Sequence, residues 1–301
     1  MGVYFRFNMI VAKFPSKIFL PETERPYPSI INFLIKRFPL IPEQTWIERI
    51  NRGLIFFKNG KKIQKDSLYT PLSTILYYKT ADKEPFVPFD EKIIYRDEHI
   101  IAVNKPSFLP VMPAGKYINE NLLTRLKKKT GNQDIVPVNR IDRETSGIVL
   151  FSVNKKTRGI YQSLFMYQKV KKTYYAITES DFCLPCKDFL IQSRIVKGKP
   201  WFTMKSIKGE INARTIVRPV KKKDKRTLFC VTPLTGKKHQ IRIHLSSIGC
   251  KIINDRIYPD LLPENTIDFQ HPLQLQSKSL EFVDPLTDKI FEFISRDHLD
   301  L

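Results

Sequence analysis

Long apolar runs are missing from this chain of 301 residues. No stretch approaches the ~20 residues that a membrane-spanning helix needs, and no basic amphipathic helix with a clear apolar face suggests a membrane surface. Glycine is scarce, at 11 residues beside 21 prolines, which excludes collagen-like and glycine-rich designs. The start, MGVYFRFNMIVAKFPSKIF, lacks an apolar core followed by a small-residue cleavage site, so it does not read as a secretory signal. Arg6 stands where a myristoylation signal wants Ser or Thr. The expectation is a cytoplasmic protein with reduced thiols. Of the four cysteines, Cys183 and Cys186 form a CxxC interrupted by Pro185. No second CxxC or histidine pair completes a zinc site, so these read as ordinary loop and core cysteines. Phosphate-loop, dinucleotide, HExxH and nucleophile-elbow patterns are all absent. With only five histidines, a metal-cluster or phosphate-transfer enzyme is not indicated. No cofactor is expected.

Positive charge is what the chain has in excess. Lys and Arg total 51 against 30 Asp and Glu, and 51 − 30 leaves +21. Such an excess concentrates polyanions, and counterion release from phosphates then favours binding, so nucleic acid is the natural partner. Hydrophobic residues make up 42% and charged residues 27%, the composition of a folded protein. A chain this long buries a core without disulfide or metal staples. The default oligomeric state is a monomer.

The pattern of elements predicts an α+β protein with a mixed, largely antiparallel sheet. Prolines break residues 1–30 into a strand or two and a loop. Helical spacing marks SIINFLIKRF (29–38) and EQTWIERINRG (43–53), and LIFFKNGKKI reads as strand, Asn59-Gly60 turn, strand. Helix followed by a basic hairpin resembles the small ribosomal-protein-type RNA-binding module, although the Gly-Asp turn expected near its end is absent. A proline-punctuated linker at 81–90 divides an N-terminal module, 1–85, from a larger domain, 86–301. In the larger domain, helices are expected near 119–130, 155–168 and 238–247. Strands are expected around 91–105, 135–153 and 171–178, then near 200–206, 213–220, 227–233 and 275–283. The cluster KKKDKR (221–226) reads as a solvated hairpin tip able to touch phosphate.

Between two apolar stretches lies Asn139-Arg140-Ile141-Asp142-Arg143-Glu144-Thr145-Ser146-Gly147. Arginines flanking Asp142 would hold it ionised well below neutral pH. Such a carboxylate is a poor general base but a possible nucleophile. On the physics alone, a polar turn with an internal ion pair is the simpler reading. The loop nevertheless resembles the R-(I/L)-D-x-x-T-S-G signature of RluA-type pseudouridine synthases, and further segments follow in family order. Asn104-Lys105-Pro106 with Leu109-Pro110-Val111 resembles its NKP…LPV segment, and Lys172-Thr173-Tyr174-Tyr175-Ala176 its K-x-Y-x-A. Gly236-Lys237-Lys238-His239-Gln240-Ile241-Arg242 is similar to G-R-T-H-Q-I-R. Asn254-Asp255-Arg256-Ile257-Tyr258 is similar to GD-x-x-Y, and Leu280-Glu281-Phe282 with Asp284-Pro285 to the closing strand. The likeness covers roughly residues 91–290.

The resemblance implies an isomerase that turns uridine in RNA into its carbon-linked isomer without cofactor or metal, after flipping the nucleotide out of its stack. It assigns Asp142 as catalytic carboxylate, Arg242 as its bidentate partner and Tyr174 as the ring over the flipped uracil. Tyr175 should face the other way. Arg140 would fill the space that the base leaves. Thr145, Lys105, Lys237, His239 and Gln240 would contact RNA or frame the site. RNA is the implied partner, ribosomal in preference to transfer RNA if the N-terminal module adds a second contact. Four positions depart from the pattern: Asn139 and Met112 replace histidines, Lys237-Lys238 replaces Arg-Thr, and Gln276-Ser277 stands for His-Ala. Two other classes compete, an RNA-binding factor with a spent site and a plain basic nucleic-acid binder. Replacing Asp142 separates them, since only an enzyme loses turnover.

Overall fold

The computed structural model describes residues 9–179, 187–263 and 267–301. Cys183 and Cys186 lie outside the described residues. Two compact units emerge: Met1–Pro85 with Ala114–Asn119, and Phe86–Pro113 with Glu120–Leu301. The short segment Ala114–Asn119, which the sequence places with the larger domain, thus belongs with the first unit.

In the first unit, β1 (Ile10–Val11) pairs with β5 (Thr80–Ala81), and β2 (Ser16–Phe19), β4 (Thr74–Tyr77) and β3 (Ile55–Phe57) form an antiparallel sheet in the order β2-β4-β3. Helices α1 (Ile30–Arg37) and α2 (Glu43–Asn51) pack their apolar faces over it. Ser29 caps α1 by accepting the Asn32 amide on its hydroxyl, which satisfies one of the donors a helix start leaves orphaned. Trp46, Leu34, Ile55 and Ile75 form the dry centre. The Asn59-Gly60 turn is present, but the strand expected after it shrinks to a single bridge between Phe56 and Lys62.

Among the described residues, the second unit holds one sheet of twelve strands. These are β6 (Lys92–Arg96), β7 (Ile100–Lys105), β8 (Val136–Pro137), β9 (Ser146–Ser152), β10 (Lys171–Glu179) and β11 (Phe189–Lys197). They continue with β12 (Met204–Ile207), β13 (Ala213–Lys223), β14 (Arg226–Pro233), β15 (Lys251–Ile252), β16 (Leu275–Val283) and β17 (Ile290–Ile294). The main order is β12-β11-β13-β14-β10-β16-β9-β7-β6, with β15 on β10, β17 on β16 and β8 on β9. Every pairing is antiparallel except β16 with β9. The long apolar runs IIAVNK and SGIVLFS lie at the buried centre as β7 and β9. The charged KKKDKR stretch closes the exposed β13–β14 hairpin.

Helices α3 (Leu122–Thr130), α4 (Arg158–Met166) and α5 (Gln240–Ser247) complete the unit. Two apolar clusters support it. One sets Tyr161 and Leu164 of α4 on β7, β9 and β16; the other sets Ile241 and Leu245 of α5 on β10, β13 and β14. None of the described helices is long and apolar enough to cross a membrane.

Candidate active site

Asp142 sits in the loop that joins β8 to β9. The loop is tied down at several points. The Val138 amide donates to Leu150 O, and Asn139 Oδ1 accepts the Leu150 amide, both at 2.8 Å. Asn139 therefore closes the loop back on its own strand, a use for the residue that departs from the family's histidine. Lys105, at the end of β7, is wholly buried, and its Nζ donates to Pro106 O, Leu109 O and Arg143 O at 2.8, 2.8 and 3.0 Å. Burial pushes its ammonium down to about 7, against the pull of Glu144 and Asp142. A lysine with no exposed surface is a framework group rather than an RNA contact.

Gly147 explains the end of the motif. Its φ is +105°, and a Cβ there would stand 2.1 Å from the Ser277 carbonyl oxygen. Glycine is required where β9 and β16 approach this closely. Ser277 Oγ donates to Ile148 O at 3.2 Å, on the same crossing.

Arg242 enters from α5, 2% exposed. Its expected bidentate partner was Asp142, and the structure corrects this. Nε and Nη2 bind Asp255, at 2.8 and 2.6 Å, while Nη1 reaches Asp142 Oδ2 at 3.5 Å and has no hydrogen-bond partner. Asp255, also buried, accepts the amides of Ile257 and Tyr258 as well. The turn Asn254–Tyr258 builds the carboxylate that takes two of the three guanidinium nitrogens. Burial pulls Arg242 down, but Asp255, with Asp142 and Glu144, outweighs it and leaves the group above its ordinary value. In the sequence Asp255 stands only within a likeness, which does not assign it the role of partner to Arg242. The N-D-x-x-Y pattern was the available signal.

His239 stands at the start of α5 in the left-handed region, φ 56°. Nδ1 lies 2.8 Å from the Tyr258 hydroxyl, and Nε2 faces Asp142 Oδ1 at 3.8 Å. Burial lowers its pKa, against the pull of Asp142, so the ring is neutral at neutral pH. The Tyr258 hydroxyl also donates to Met204 O at 3.2 Å, so its one proton is shared between that carbonyl and the imidazole.

Tyr174 lies half-buried on β10, beside a register shift between Thr173 and Tyr174. Burial pushes its phenol up to about 12; the Ser277 hydroxyl opposes the rise and Asp142 adds to it. It is a ring and a donor, not a base, at neutral pH. Its neighbour Tyr175 packs under Lys278, whose Nζ is 5.6 Å from the ring centre.

The remaining candidates divide by exposure. Arg140 is exposed, and its Nη1 lies 3.8 Å from Sδ of Met112, one of the positions that depart from the family pattern. Lys237 is exposed. Gln240 is buried and saturated: it accepts from Thr235 Oγ1 and the Lys237 amide and donates to Arg214 O and Thr215 Oγ1. Thr145 is buried too. These two frame the site. Arg143 pairs with Glu144, Nε to Oε1 at 2.8 Å. Among the described residues no group of three or more His, Cys, Asp or Glu could hold a metal ion.

The family model for RNA pseudouridylate synthase matches residues 99–247, the span from β7 through α5. The dual-specificity RNA pseudouridine synthase RluA of Vibrio cholerae is 32% identical over 214 residues, covering 67% of this chain and 80% of that protein. The chain belongs to the RNA pseudouridine synthase family. It is an isomerase acting on RNA, and its kin include tRNA pseudouridine synthase C of Vibrio parahaemolyticus, 28% identical over 71% of this chain and 92% of that protein. The solved structure of human RNA pseudouridylate synthase domain containing 1 shares the synthase fold, with a TM-score of 0.58 at 21% identity over 71% of this chain and 86% of that one. In this synthase, Asp142, Tyr174 and Arg242 come from three separate elements: the β8–β9 loop, β10 and α5.

Proposed function

We propose that the chain isomerises specific uridines of ribosomal or transfer RNA at a site built on Asp142. The observation that carries this is the pair of unspent groups aimed at one carboxylate. The Arg242 Nη1 is buried, makes no hydrogen bond and pairs with Asp142 Oδ2 at 3.5 Å, and His239 Nε2 faces the other oxygen at 3.8 Å. Both distances exceed a hydrogen bond, so the carboxylate is oriented but not consumed.

The reaction breaks the bond between N1 and C1′, turns the uracil and joins C5 to C1′; one proton leaves C5 and one is taken up at N1. The nucleotide must first leave its stack. Asp142 acts at the sugar, and Arg242 steadies the carboxylate as its charge changes. Tyr174 offers its face to the flipped uracil, with the phenol protonated throughout. Exposed Arg140 and Lys237 hold the phosphates or the space the base vacates. Asp255 is a positioning residue acting through Arg242.

Tritium release from RNA labelled at C5 of uridine, prepared from cells lacking this gene, tests the reading. The wild type should release tritium and Asp142→Asn none, with RNA binding retained. Equal release from both would overturn it.

A further inference from the structure

The hairpin between β11 and β12 carries an indole in water. Trp201 is 73% exposed, although burying an indole is among the largest gains a side chain can make. The turn that displays it is tightly built. The Gly198 amide donates to Thr203 O at 3.1 Å, and the Thr203 amide and hydroxyl both donate to Pro200 O, at 2.9 and 2.8 Å. A Cβ on Gly198 would meet Thr203 Oγ1 at 2.5 Å, so a larger residue would open the turn. The turn backbone is thus fixed, and the indole meets the Phe202 ring edge-on at 5.9 Å.

The hairpin is also moored to the catalytic helix. Lys238 Nζ donates to Phe202 O at 2.6 Å, which joins the residue after Trp201 to the residue before His239. The Tyr258 hydroxyl accepts the Met204 amide at 2.8 Å and lies against His239 Nδ1. Below, Ile195 and Met204 of the hairpin pack on Ile243 of α5 and on Tyr258. Between Phe189 and Gly209 the chain has five basic residues, Arg194, Lys197, Lys199, Lys205 and Lys208, all exposed, and no acidic one.

We propose that Trp201 is a stacking platform for an unpaired base of the substrate RNA flanking the flipped uridine, with the lysines around it holding the adjoining phosphates. An exposed aromatic ring within a basic surface is the arrangement that binds unpaired bases with tolerance for their identity. The inference rests on Asp142 marking the catalytic centre, because the hairpin is anchored beside it. Substrates with the target uridine in a loop or bulge follow from it.

The chain has two tryptophans, and Trp46, fully buried in the first unit, supplies a fixed background. Titrating Asp142→Asn with a uridine-rich single-stranded RNA should quench the Trp201 emission. The double variant with Trp201→Phe should bind with its Trp46 signal unmoved. On otherwise wild-type protein, Trp201→Ala should raise KM for RNA from cells lacking this gene by about tenfold or more, with kcat within about twofold. Trp201→Phe should recover most of the loss. An unchanged KM in Trp201→Ala, or quenching that survives in Trp201→Phe, would overturn the proposal while leaving the role of Asp142 standing. Quenching by phosphatidylserine vesicles and not by RNA would overturn it in favour of a membrane contact. If the wild type released no tritium, the catalytic reading would fail alone, and the fluorescence titration would still decide whether Trp201 meets RNA.

Discussion

Asp255 and Asp142 present their carboxylates to the same guanidinium on different terms. Asp255 is buried, lies 2.6 and 2.8 Å from Arg242, and accepts two backbone amides besides. Asp142 keeps a quarter of its side chain in solvent and stands 3.5 Å away. The first pair is saturated, and its cost of desolvation is offset by four hydrogen bonds. The second is slack, so a substrate can compete for it. A single arginine is thus fixed by two nitrogens and turns the third toward Asp142.

Breaking the saturated side should have the largest effect. Asp255→Asn leaves Arg242 buried without its counter-charge and should cost about 3–5 kcal/mol, read from urea denaturation. Turnover of the surviving folded protein should fall with little change in KM, because Arg242 loses its aim at Asp142. Acid tests the same helix at a second point. His244 is wholly buried between the Ser193 and Thr215 hydroxyls, and burial lowers its pKa to about 4. Between about pH 6.5 and 4 the unfolded chain binds the proton and the folded one does not, so stability falls as pH drops through this window. The loss from this group should reach about 3 kcal/mol below it. His244→Gln should remove that part of the slope; an unchanged slope would refute the assignment. The slack side should give the smallest change. Asp142→Asn, though inactive, should shift stability by less than about 1 kcal/mol. A loss as large as that of Asp255→Asn would abolish the distinction between the two carboxylates.

Local signals carried much of this architecture into the sequence. Ser29 and Asn121 mark the starts of α1 and α3 by side-chain caps, and Gly131 ends α3. Helical spacing located α2. The motifs gave the three elements that meet at Asp142. What escaped was non-local. Lys105 carries a charge, and nothing in Asn-Lys-Pro says that its ammonium will be enclosed by three carbonyls, one of them on a loop 38 residues away. Arg242 was paired with Asp142 through the family pattern, whereas its tight partner arises in a turn after α5. The expected strands omit β17 (IFEFI) and β11 (FLIQSRIVK), although both are short runs rich in Ile and Phe, which is a strand signal. Gly147 stands in the sequence only as the end of a motif, and nothing there says that β16 would press against it.

That crossing has a consequence for the newborn chain. β16 lies between β10, which bears Tyr174, and β9, which follows the Asp142 loop, pairing Ser277 with both Tyr174 and Gly147. The strands that flank the Asp142 loop and carry Tyr174 are both made before β16, the strand that brings them into register. At roughly 5–20 residues per second, the chain waits seconds between the synthesis of Tyr174 and that of β16. A nascent chain therefore carries Asp142 and Tyr174 for seconds before the strand that joins β9 to β10 exists.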